Sequence, residues 1–373
     1  MTRRARLTSP AAGDPFARVA GMTVLLRQLL SLQDAGIDEV DVEGIPADRL
    51  PTDLRLRLAV RPVDTASPAP RSTGETVLRA RLGLVWHRLL AKRLVRIGYV
   101  GDLEAAPLEP DEFVVAVTDA ASAQCAEESL FQSLLKATDG LISRAINRRI
   151  SLPITRALID TSITPNQMTA FAAAVGFAAI AIVLWGGVPW LVGGALLLQT
   201  QSILDGCDGE ISRLKYIRSR LGEWLDQVLD DLVNLGFFWA TGWALYRDGS
   251  STALPITVAG TTSHIVYQIC LYAALLTRGG GSGSVASIRW WGQIDESRRR
   301  PLDQPRGVLR TVKETLELAG RRDFFTFFYL PAALIGLPQI ALWLCAVIYF
   351  LSALSTTLEW LLKGGPQPAA RAS

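Results

Sequence analysis

From residue 166 onward the chain is written in apolar runs, each close to the roughly 20 residues that an α-helix needs to cross a bilayer. The runs cover about residues 167–186, 189–208, 219–246, 253–277, 324–337 and 339–362. In hydrocarbon every backbone N–H and C=O must be satisfied within the protein, so runs of this kind predict helices and leave little else open. Residues 1–150 instead alternate charge with short apolar stretches, as a soluble domain does. The expected fold is a soluble α/β N-terminal domain followed by an all-α polytopic membrane domain of six transmembrane helices. A hydrophobic content of 49% over 373 residues fits that division.

Four carboxylates are placed among these apolar runs at helical spacings. The stretch reads Asp205-Gly-Cys-Asp208-Gly209-Glu-Ile-Ser212-Arg213, then eight residues, Gly222, three residues, Asp226, three residues and Asp230. On helices, Asp205 and Asp208 share one face at i, i+3, and Asp226 and Asp230 share another at i, i+4, so the two pairs can converge. Charges at the ends of membrane helices are costly and tend to be functional, and crowded carboxylates repel unless divalent cations neutralise them. A site made only of oxygen donors suits Mg²⁺ or Mn²⁺. With two histidines, and four cysteines in no CxxC pair, histidine chemistry, a zinc site and a disulfide framework are not expected.

This spacing resembles that of the CDP-alcohol phosphotransferases, with Ser212 standing where Ala is usual. The resemblance implies that a CDP-alcohol donor is attacked at its β-phosphorus by an acceptor hydroxyl and CMP leaves. It also implies a two-metal site with Asp205, Asp208, Asp226 and Asp230 as ligands, Asp230 serving as general base. Gly209, Ser212, Arg213 and Gly222 would bind the nucleotide. Three shorter runs, Asp-Gly-Cys-Asp-Gly-Glu, Ser143-Arg144-x2-Asn147-Arg148 and Arg321-Arg322-Asp323-Phe324, are similar to those of di-myo-inositol phosphate phosphate synthases. That likeness covers about residues 136–362 and implies CDP-inositol as donor and a polyol or polyol phosphate, such as inositol phosphate, as acceptor. Arg321 and Arg322 would then hold the acceptor phosphate, the alternative being that they are snorkelling anchors. Two rival readings stay open: phosphatidyl transfer from CDP-diacylglycerol, and a non-catalytic membrane scaffold, against which four costly carboxylates argue.

In the N-terminal part, Val24 to Leu32 suits an amphipathic helix capped at Gly36, and Val40 and Val42 alternate as in a strand. The Pro- and Ser-rich residues 62–74 read as a loop, 113–118 as a strand and 119–136 as a closing helix. This resembles part of the sugar-nucleotide-type nucleotidyltransferases, but neither a Gly-rich triphosphate loop nor an Asp metal site occurs in residues 1–135. The expected organisation is a degenerate, non-catalytic nucleotidyltransferase-like domain over 1–138, with an unrelated small α/β domain as the alternative. A juxtamembrane amphipathic segment follows over 139–165, most of whose arginines meet lipid headgroups while others could reach a phosphate in the active site, then the six-helix domain over 166–363 and a disordered tail over 364–373. Pro165 in Thr164-Pro165-Asn166 suits a first helical turn. No signal peptide is read, since no apolar run follows Arg3, Arg4 and Arg6. Arg213, Lys215, Arg218 and Arg220 in a loop over 209–221, and ten Lys or Arg over 278–323, put both termini and the carboxylates on the cytoplasmic side of the inner membrane. A lipid bilayer is thus the expected partner and nucleic acid is not, with homodimerisation left open.

Overall fold

The computed structural model describes residues 3–9, 11–63, 76–135, 140–290 and 322–368. The N-terminal domain is built on five parallel strands: β1 (Arg4–Thr8), β2 (Glu39–Glu43), β3 (Ala59–Val63), β4 (Thr76–Arg81) and β5 (Gly101–Asp102), in the order β3-β2-β1-β4-β5. In β2 the alternation puts Val40 and Val42 in the core and Glu39, Asp41 and Glu43 outside it. Helix α1 (Val24–Asp34) closes one face, burying Leu25, Leu29 and Leu32 against Val40, Val42 and Leu7. Gly36 follows it at φ +82°, which a side chain would resist. Helix α2 (Leu90–Arg96) and helix α3 (Ala120–Gln132), the latter started by an Asp119 capping box, complete the domain.

Open parallel sheets hold ligands beyond the carboxyl ends of their strands, where the order reverses. Here that place lies between β1 and β4, and backbone fills it. Ala12 N donates to Leu82 O at 2.7 Å and Asp14 N to Val117 O at 2.6 Å. A Cβ on Gly83, which sits at φ +82°, would come within 2.2 Å of the Gly13 carbonyl carbon.

Helix α4 (Arg148–Leu158), preceded by a π-helical turn over Ser143–Asn147, links this domain to what are, among the described residues, six further helices. These are α5 (Pro165–Gly186), α6 (Leu191–Lys215), α7 (Arg220–Arg247), α8 (Ala253–Thr277), α9 (Arg322–Leu334) and α10 (Pro338–Lys363). They overlap the expected apolar runs. By length and composition, α5 and α10 are apolar enough to cross a membrane. The other four carry the polar groups of the site or, in α9, are short. The bundle core is built around Phe237, Phe238 and Tyr349, and close helix crossings rest on small residues such as Gly242, where a Cβ would lie 1.8 Å from Thr257 Oγ1.

Several expectations change. The motif from Asp205 to Arg213 is not followed by a loop over 209–221, because α6 continues to Lys215. Ile211 and Leu214 are buried on it, and Tyr216 ends it in the left-handed conformation at φ 53°. The arginines of the juxtamembrane segment do not all face outward: Arg148 is buried and pairs with Glu210 of α6, and Arg156 pairs with Glu128 of α3. At the head of the expected tail, Gln367–Pro368 pairs with Ile288–Arg289. The chain there is held by Arg278 Nη2 donating to Gly364 O at 3.1 Å.

The N-terminal domain packs on the end of α6. Arg27 Nη2 donates to Val19 O and Ala20 O at 2.9 Å each, and its Nη1 to Leu214 O at 3.1 Å. Arg55 Nη1 donates to Lys215 O at 2.6 Å, and Tyr216 packs on Met22, Leu26 and Leu30. The last carbonyls of α6, which have no partner within the helix, are thereby capped by side chains of the other domain.

Candidate active site

The helical spacings do bring the two acidic pairs together. Carboxylate oxygens of Asp205 and Asp208 on α6 and Asp226 on α7 lie within 4.8 Å of one another. Asp208 is buried and accepts a hydrogen bond from Thr169 Oγ1 of α5. Thr164, Pro165 and Asn166 fix that part of α5, with Thr164 capping Gln167 N and Pro165 in the first turn. Asp230 is buried one turn beyond Asp226. Its Oδ1 accepts from Gln201 Nε2 at 3.0 Å, and its Oδ2 pairs with Arg322 of α9. Arg322 also reaches Asp205 Oδ2 at 2.6 Å, so one guanidinium bridges both acidic pairs.

The donors are carboxylate oxygens alone, and Asp226 Oδ1 is buried without a hydrogen-bond partner among the described residues. This is the donor chemistry that hard divalent cations prefer over soft ones. Asp208, Asp226 and Asp230 line a cavity of about 960 Å³, together with Gly209, Ser212, Arg213 and Gly222. Gly222 packs closely, since a Cβ there would fall 2.6 Å from Asn166 Oδ1 and 2.9 Å from Ser219 Oγ and both side chains would have to shift. Ser212 spends its hydroxyl on Ile217 O at 2.6 Å, closing the turn after α6. Arg321 lies outside the described residues.

The shorter runs also acquire a physical meaning. Glu210, within the acidic motif, is fully buried and accepts from Arg148 Nη1 at 2.5 Å, Ser151 Oγ at 2.6 Å and Thr155 Oγ1 at 2.5 Å. On α6, Gln199 Nε2 donates to Asn147 Oδ1 at 2.7 Å and Ser202 Oγ accepts from Asn147 Nδ2 at 3.2 Å. Asp323 accepts from Ser143 N at 2.9 Å, so the Arg322-Asp323 pair faces the acidic cluster with one residue and the start of the juxtamembrane helix with the other.

Sequence reasoning missed Thr169, Gln201 and Arg322's bridge between the acidic pairs. Gln201 was within reach of it, standing one helical turn before Asp205 on the same face. Asn234, whose Nδ2 donates to Asp230 O at 2.8 Å, stands one turn after Asp230 in the same way. Thr169 and Arg88, which also lines the cavity, come from elements whose placement no local spacing announces.

Residues 162–350 match the sequence model of a family described as CDP-alcohol phosphatidyltransferase. Over 241 residues, 64% of this chain and 49% of the other, the sequence is 30% identical to a protein of Aquifex aeolicus named bifunctional IPC transferase and DIPP synthase. A protein of the same name from Archaeoglobus fulgidus is 42% identical over 113 residues, 30% of this chain and 22% of that one. A CDP-diacylglycerol–serine O-phosphatidyltransferase of Mycobacterium leprae is 30% identical over 125 residues, 34% of this chain and 38% of that one. The chain thus spans about half the length, or less, of these curated relatives.

Proposed function

The chain belongs to the CDP-alcohol phosphatidyltransferase family, and we propose that it transfers the phosphoinositol group of CDP-inositol to a hydroxyl of a phosphorylated polyol such as inositol phosphate, releasing CMP. The observation that carries this reading is the meeting of the Asp205, Asp208 and Asp226 carboxylates within 4.8 Å. Two of them line a cavity of about 960 Å³, which is ample for a nucleotide and a polyol together. The relatives named DIPP synthase, with the likeness over the Asp205–Glu210, Ser143–Arg148 and Arg321–Phe324 runs, support the inositol donor.

We assign Mg²⁺ or Mn²⁺ to Asp205, Asp208 and Asp226, with Asp230 as a further ligand; a divalent ion held there would supply positive charge to offset the negative charge developing on departing CMP. The proton of the acceptor hydroxyl goes to Asp230 as that hydroxyl attacks the β-phosphorus. Gln201 fixes one oxygen of Asp230 in place, and Arg322 offsets the charge of the crowded carboxylates. Arg213 and the bare backbone at Gly209 and Gly222 face the nucleotide, and Ser212 shapes the turn beside it. Arg321 and Arg322 together are the proposed seat of the acceptor phosphate, with Arg322 shared between phosphate and carboxylates. All six helices α5–α10 are taken to cross the inner membrane, with the site and both termini cytoplasmic.

The N-terminal domain makes no CDP-alcohol in this reading. The crevice a nucleotide would need is filled by the backbone around Gly13 and Gly83. The test uses the purified full chain with CDP-inositol and inositol phosphate. Divalent-dependent CMP release that stops in chelator is the expected result. Release only when CDP-diacylglycerol replaces CDP-inositol would favour the second reading, phosphatidyl transfer, which the likeness to the Mycobacterium leprae protein makes worth testing.

A further inference from the structure

Among the described residues of the N-terminal domain, Arg88 alone lines the cavity of the helical domain. Its backbone is well held. The strand Leu84–Trp86 just before it pairs with Val114–Ala116, His87 N donates to Phe113 O at 2.9 Å, and α2 begins just after it. The domain that carries it is fastened to α6 through Arg27, Arg55 and Tyr216. Arg88 is therefore directed at the cavity by two independent sets of contacts.

Its nearest acidic group, Asp34, pairs with Arg218 and not with Arg88. Arg88 Nε is buried with no hydrogen-bond partner, and no ion pair involves Arg88 among the described residues. Burial pulls its guanidinium below the usual range and the like charge of Arg218 adds to that, with Tyr216 and Asp34 pulling the other way. Arg218 lines the same cavity and lies 4.0 Å from Asp34. Two guanidinium groups face one cavity and, among the described residues, a single carboxylate, Asp34, is paired to one of them, which leaves positive charge that a bound phosphate would neutralise. The planar fork of Arg matches phosphate oxygens.

We propose that the N-terminal domain completes the active site, Arg88 and Arg218 together holding a phosphate of the substrate. The inference rests on the transferase reading given above. The donor's phosphate is the expected one, because Arg218 follows Ser212 and Arg213 closely in the chain and all line one cavity. The domain would thus be kept for one guanidinium and its support, although its own crevice is closed.

The experiment takes the full chain in lipid nanodiscs as wild type, Arg88→Gln and Arg88→Lys. It measures CMP affinity by calorimetry, KM for CDP-inositol and for inositol phosphate, and Tm. Arg88→Gln is expected to weaken CMP binding and raise the donor KM by roughly tenfold or more, the scale of a lost hydrogen bond to a charged group. The acceptor KM and the Tm should stay put, and Arg88→Lys should recover part of the loss. A rise in the acceptor KM alone would keep the phosphate site and reassign it to the acceptor. Unchanged CMP affinity and unchanged KM values would overturn the proposal, and if Arg88→Gln does not fold, an Arg88→Lys protein with wild-type values does the same. Wild-type protein that binds CMP but turns over no CDP-alcohol would sink the transferase reading while calorimetry still decides the role of Arg88.

Discussion

Asp230 is held by two partners of different kinds, a neutral amide from Gln201 on one oxygen and the Arg322 guanidinium on the other. That arrangement suits a carboxylate that must stay ionised until a hydroxyl proton arrives, whereas Asp226 keeps a buried oxygen without a hydrogen-bond partner among the described residues, as a ligand would. The two roles predict different losses. Asp205→Ala, Asp208→Ala and Asp226→Ala should each abolish CMP release at every Mg²⁺ or Mn²⁺ concentration. Asp230→Asn should retain metal binding better than these three and lose on the order of 10²-fold in kcat, the usual scale of a lost general base. Near-normal turnover in Asp230→Asn would remove the base assignment. Gln201→Leu should lower kcat by less, and adding it to Asp230→Asn should cost nothing further, because residues that act as a unit are not additive. The four aspartates were legible because helical spacing alone puts them on facing stripes. Thr169, which holds Asp208, was not, since its hydroxyl arrives from another helix and its sequence neighbours read only as an apolar run.

The helices themselves were legible from hydropathy, and their ends were less so. Helix α6 runs on through the charged motif because its buried stripe continues in Ile211 and Leu214 and its charged residues find partners in neighbouring elements. Glu210 is the clearest case: an apolar pattern would end the membrane run before it, yet three donors from α4 surround it. The cost of burying this carboxylate is met only while all three stay in place. Glu210→Ala would leave Arg148 charged and buried, and the expected destabilisation is about 3 to 5 kcal/mol. A fall in Tm of the full chain, with the loss reduced in the Arg148→Met, Glu210→Met double variant, is the measurement that checks it. A Tm unaffected by Glu210→Ala would mean that α4 does not depend on this pair. The α7–α8 crossing makes a second demand. Gly242→Ala places a methyl 1.8 Å from Thr257 Oγ1 and should cost about 1 to 3 kcal/mol through overpacking, which Thr257→Ala should relieve.

The joining of the two domains is the feature that the sequence announced least. Composition separated a soluble part from an apolar one, but the contact between them is made by Arg27, which lies in the amphipathic pattern of α1 and reads there as a solvated position. In the structure Arg27 is 3% exposed, and its fork satisfies two carbonyls of its own domain and one of α6. Burial pulls its guanidinium below the usual range, with the Tyr216 hydroxyl pulling the other way. A buried cation of this kind persists only where several acceptors replace its water. Arg27→Met keeps an unbranched apolar stem and removes the fork, leaving Val19, Ala20 and Leu214 carbonyls without it, at about 1 to 3 kcal/mol for each buried acceptor left unsatisfied. The bundle does not depend on this contact, so the loss should fall on the junction. Hydrogen exchange of the full chain should speed up in residues 17–34 and 214–219 while α5 and α10 keep wild-type protection. If the junction positions Arg88, CMP affinity should fall in the same variant although residue 27 does not line the cavity. Unchanged exchange on both sides of the junction would show that Tyr216 and Arg55 hold the domains without Arg27.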